Sequence, residues 1–142
     1  MDVMSIKLAR MIRFDPTLSV TEKIERLELM AEAFAEMSNQ KDLECFCIGE
    51  ESIYGILAGM LTADNAPIDD VIRIREKQFA SMERIMKLAE TDDVLKEQIQ
   101  STYKSDDMVA WQLNRLLNSP HPQFAKLREN KKYLEMLNKW AR

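Results

Sequence analysis

The sequence predicts an all-α fold, a single-domain bundle of six to seven short amphipathic helices. Three observations carry this. The chain has 142 residues, below the length at which domains usually divide. It is 46% hydrophobic and 31% charged, enough to bury a core. With three glycines and four prolines, it has little turn material for a many-stranded sheet.

Each helix has its own signals. Residues 2–14 read as a short N-terminal helix, with Met4, Leu8, Met11 and Ile12 on one side and Lys7, Arg10 and Arg13 on the other. Asp15-Pro16 ends it, because a residue before proline is pushed out of the α region. Ser19-Val20-Thr21-Glu22 is a capping box, and it opens a helix to about Met37. Val20, Ile24, Leu27, Ala31 and Phe34 form its predicted buried stripe.

A third helix is predicted from about Lys41 to Leu61. It carries no charge from Ile53 onward, which marks it as the central helix. Gly55 and Gly59 lie one turn apart on it, a smooth face that suits either close internal packing or a dimer seam. Pro67, with Asp69 and Asp70, starts a fourth helix to about Ala89, whose stripe runs Ile68, Val71/Ile72, Arg75, Phe79, Met82 and Met86. Thr91-Asp92-Asp93 and Ser105-Asp106-Asp107 cap a fifth helix to Tyr103 and a sixth to Asn118. Pro120 and Pro122 interrupt the chain, and a basic C-terminal helix is expected over 123–141.

Function is read mostly by elimination. Cys45 and Cys47 point ~200° apart on a helix and cannot bridge within it. One histidine, His121, leaves too few ligands for zinc and no partner for a catalytic triad. No Gly-Lys-Ser/Thr phosphate loop is present. Glu25, Glu28, Glu90 and Asp93 could hold magnesium in a helical hydrolase, but the two pairs stand far apart, and a solvated charged face is the simpler reading. The reading is therefore no enzyme, no cofactor and no metal.

No apolar run is long enough to span a bilayer, and the first residues do not have the order of a secretory leader, so a cytoplasmic location is expected. From Pro120 onward the chain is net +4 and the remainder −8. Lys126, Arg128, Lys131, Lys132 and Lys139 form a basic surface that either neutralises the protein's own acidic helices or meets nucleic acid. Ten methionines, and apolar positions beyond a single stripe, suit either a core or a protein-binding face. Met30, Phe34, Gly55, Gly59, Met108 and Trp111 are the candidate partner-binding residues. The first expectation is thus a small non-enzymatic adaptor, inhibitor or assembly chaperone that docks on a larger protein, with homodimerisation open. The alternative is a nucleic-acid-associated regulator using the basic helix.

Overall fold

The computed structural model describes residues 3–141, and the side chains from Ile6 onward; the side chain of Met4, named above, lies outside the described residues. All regular structure among them is helical. Eight helices follow one another: α1 (Val3–Arg13), α2 (Val20–Met37), α3 (Phe46–Ala63), α4 (Ile68–Ala89), α5 (Asp93–Tyr103), α6 (Met108–Asn118), α7 (Pro122–Arg128) and α8 (Lys131–Trp140).

The caps sit where the sequence puts them. The Glu22 amide donates to Ser19 Oγ at 3.1 Å and the Ser19 amide to Glu22 Oε1 at 3.2 Å, completing the capping box. Asp92 and Asp107 accept from the Leu95 and Ala110 amides at 3.1 and 2.9 Å. Lys104, in the left-handed region at φ 55°, closes α5.

Two boundaries differ from expectation. The third helix begins at Phe46 rather than Lys41, because residues 38–45 form a run of turns in which Asp42 has φ 70°. The expected C-terminal helix is two helices, which makes eight in place of six or seven. Asn130 breaks it, capping α8 by accepting from the Tyr133 amide at 3.1 Å.

α3 is the central helix, as its uncharged stretch predicts. It packs on α1, α2 and α4 and buries Cys47, Ile53, Leu57 and Leu61 among others. α4 is the second axis, in contact with α3, α5, α6 and α8. The outer stripes are less buried than predicted. Val20 is exposed, and Ile24 and Phe34 are half-buried. α1 seats Ala9 and Ile12 and leaves Leu8 and Met11 outside, because a helix lying against one edge of the core can bury only one narrow face.

Candidate functional site

Two features stand out, one inside the bundle and one on its surface. The inner feature is a polar ladder between α3 and α4. Arg75 Nη1 donates to Gln78 Oε1 at 2.8 Å, and Gln78 Nε2 donates to Glu51 Oε1 at 3.0 Å. One turn further along, Ser81 Oγ donates to Glu50 Oε1 at 2.7 Å and Arg84 Nη1 to the same oxygen at 3.1 Å. Arg84 also reaches Ser38 and Asn39, tying the α2–α3 connection to α4. Glu50, Glu51, Arg75, Gln78 and Ser81 are all buried.

Burial sets the electrostatics here. Desolvation pushes the Glu50 and Glu51 carboxyls above the ordinary 4.5, against the opposing hydrogen bonds from Ser81 and Gln78. It likewise holds the Arg75 guanidinium below its usual range. Arg75 faces the Tyr133 hydroxyl from α8, yet neither Arg75 Nε nor Tyr133 Oη completes a well-formed hydrogen bond. Gly55 makes room for the ladder, since a Cβ there would stand 3.1 Å from Gln78 Nε2. Arg75, Gln78, Glu51, Glu50 and Ser81 are buried in the ladder, while Arg84 at its end is partly exposed, and the hydrogen bonds join α3 to α4.

The surface feature is a furrow between α3 and α5. α5 leans on α4 and α6, and a gap separates it from α3. Ile85 and Leu88 of α4 floor the gap, Ile48 and Ser52 form the α3 wall, and Leu95 and Gln98 form the α5 wall. The wide mouth, about 1100 Å³, opens beside Leu8, Phe34 and Phe46 and is rimmed by Asp42, Glu44, Asp92 and Asp93. The narrow inner end, about 180 Å³, stops at Tyr103 and Met108 and has Glu51 at its edge. Val94 stands on the rim, 68% exposed.

The predicted partner-binding residues divide around this furrow. Phe34 lines its mouth and packs on Phe46 with ring centroids 5.5 Å apart. Met108 is buried at the inner end, and Trp111 backs it by meeting Tyr103 edge-on at 4.9 Å. Met30 is half-buried against the core, away from the furrow. Gly55 faces Gln78 inside the chain, so close internal packing holds at that position, whereas Gly59 has open space beside it. The furrow itself is not visible in sequence, because it depends on two helices failing to meet.

The basic residues are mostly engaged within the chain. Lys132 pairs with Asp69 and Lys139 with Glu76, both on α4, while Lys126 reaches Asn65. Arg128 caps the carbonyls of Leu116 and Ser119 at 3.0 and 2.9 Å. Lys131 is exposed.

The four magnesium candidates do not come together. Glu28 is bound by Arg73 and Lys77, whose hydrogen bonds hold its carboxyl below the ordinary range despite partial burial. Among the described residues, no group of three or more acidic, histidine or cysteine side chains is placed to hold a metal ion. His121 caps α7, with its Nδ1 accepting from the Gln123 amide at 3.2 Å. Cys45 is exposed beside the furrow mouth, whereas Cys47 is buried and burial pushes its thiol up to about 11. No helix among the described residues is long and apolar enough to cross a membrane. The chain matches no protein-family model, no curated protein and no solved structure.

Proposed function

We propose that this chain is a protein–protein interaction module, an adaptor, inhibitor or assembly chaperone of the cytosol, that acts by binding and not by chemistry. The observation that carries this reading is the α3–α5 furrow, an apolar-floored trough with an acidic rim at its open end. A trough between two helices, floored by a third, has the shape that an amphipathic helix fills, with its apolar residues inward at i, i+3, i+4 and i+7. α5 has 11 residues, so its wall is roughly 16 Å long and accepts about three turns of a guest helix.

The furrow also meets the general description of a binding surface. Apolar side chains lie at its centre, and the charged groups stand at its edge. The nucleic-acid reading has less support, because Lys132 and Lys139 sit over acidic residues of α4, the neutralising role that simple charge balance predicts.

A photo-crosslinking amino acid placed at Val94 in the full chain, expressed in its native cell, tests the reading. One protein captured in stoichiometric yield at position 94, unaffected by nuclease and absent when the probe sits at Glu135 on α8, supports it. Capture at neither position, or equal capture at both, overturns it.

A further inference from the structure

The furrow has a counterpart on the same molecule. α1 is seated through Ala9 and Ile12, and its other large apolar residues stay outside. Leu8 is 43% exposed and Met11 69%; Phe14, just past the helix end, is 68% exposed. Residues three apart lie on one side of a helix, so these side chains form a row. Lys7, Arg10 and Arg13 flank the row and form no ion pair among the described residues. On the furrow mouth, Asp42, Glu44 and Asp93 likewise have no cationic partner there.

One molecule thus carries, side by side, a basic helix with an exposed apolar row and an acidic-rimmed trough lined by the half-buried Phe34, Ile48 and Leu88 and the exposed Val94. Leu8 belongs to both, since it lines the mouth. α1 and α5 each have 11 residues, so the helix and the trough wall match in length. The trough cannot take its own α1, which already forms part of its edge. A second copy can offer α1, and a surface that carries both halves of a complementary pair closes on itself through a two-fold axis. We infer that the free protein is a two-fold homodimer in which α1 of each protomer lies across the furrow mouth of the other. This goes beyond the docking reading, because it concerns what covers the furrow when no partner is bound.

Sedimentation velocity on the full chain, over a range of protein and salt concentrations, reads this directly. The expected result is a dimer at micromolar concentration whose association weakens as salt rises, because the cations and carboxylates at the contact are screened. Met11→Asp with Phe14→Asp should weaken association by about 30-fold or more, the effect of losing one central anchor, with helical circular dichroism unchanged.

A charge exchange fixes the geometry. A chain carrying Arg10→Glu and Arg13→Glu should be monomeric, and so should a chain carrying Glu44→Lys and Asp93→Lys. Mixed together they should form a heterodimer, since each α1 then meets a trough of opposite charge. A monomer at every concentration, a dimer indifferent to Met11→Asp/Phe14→Asp, or two reversed chains that do not combine would each overturn the inference. The identity of what is captured at Val94 keeps the two readings apart: a second copy of this chain there reports the dimer contact, and only a different protein supports the docking reading.

Discussion

The α3–α4 interface and the α3–α5 gap treat the same helix in opposite ways. Toward α4, α3 presents Glu50 and Glu51, polar groups that are buried and hydrogen-bonded in series through Gln78 and Ser81. Toward α5, it presents Ile48 and Ser52 to an open trough. One side holds polar groups inside with their partners; the other leaves the half-buried Ile48 beside an open gap with no helix packed over it. A buried, paired polar group fixes which helices meet and in what register, whereas an exposed apolar group is cheap in the folded chain and gains free energy only when something covers it. The two sides should therefore respond differently to mutation, the first in stability and the second in association.

The largest effect is expected at Arg75. Its guanidinium is buried, holds Gln78 and faces Tyr133. Arg75→Ala leaves Gln78 Oε1 and the Glu51 carboxyl without their cation, and should cost about 3 kcal/mol in urea unfolding followed by circular dichroism. A loss below about 1 kcal/mol would show that the ladder does not hold α3 to α4.

Gly55 and Gly59 sharpen the contrast within a single helix. Alanine at Gly55 brings a Cβ to 3.1 Å from Gln78 Nε2, an atom already held by Glu51 and unable to yield cheaply. A net loss on the order of 1 kcal/mol is expected, since crowding outweighs the gain in helix propensity. Alanine at Gly59 meets nothing within 4 Å and should stabilise the fold by about 0.5–1 kcal/mol. Thermal melts of the two variants should move in opposite directions. Equal shifts would remove the steric role assigned to Gly55.

Glu51→Gln tests the same ladder through pH. The Glu51 carboxyl is raised above 4.5 by burial, so the folded state holds its proton more tightly than the unfolded chain does. Stability from this group is then full below about 4.5 and declines as pH climbs through the raised value. Glutamine keeps the oxygen that accepts from Gln78 and carries no charge at any pH. The variant should match the parent in acid and gain on it toward neutrality. Melting curves of both proteins from acid to neutral pH would show the difference, and parallel pH dependence would place the Glu51 charge outside the balance.

How far the sequence reveals this arrangement depends on the range of the interaction. Ser19, Asp92 and Asp107 mark helix starts correctly, because a cap is made by residues three apart. Asn130 makes the same kind of cap inside an apolar pattern that runs straight through it, and the pattern hides the break. Arg75 falls on the predicted apolar stripe of α4, a charged residue in a buried row, and that was a signal of the ladder. Its direct partner Gln78 stands three residues further along α4, but Gln78's own partner Glu51 comes from α3, 27 positions away, so the link between the helices could not be read locally. Phe34 and Met108, two of the candidate partner-binding residues, lie at opposite ends of the furrow. The furrow itself is set by which helices stay apart, and no local pattern encodes that.

The finest test compares two neighbours on α5. Leu95 is buried and shared by the core and the furrow wall, while Val94 stands beside it on the rim, mostly exposed. Leu95→Ala removes core contacts and should cost about 2–3 kcal/mol. Val94→Ser removes mostly exposed apolar surface. Its position in the first turn of α5 tolerates a hydroxyl, so unfolding free energy should stay within about 0.5 kcal/mol of the parent. Binding of any helix in the furrow should still weaken, because the lost methyl groups face the guest and not the core. A Val94→Ser protein that keeps its melting temperature and loses its partner separates the two roles of α5. One that loses stability as Leu95→Ala does would place Val94 in the core, and the furrow would be shallower than its walls suggest.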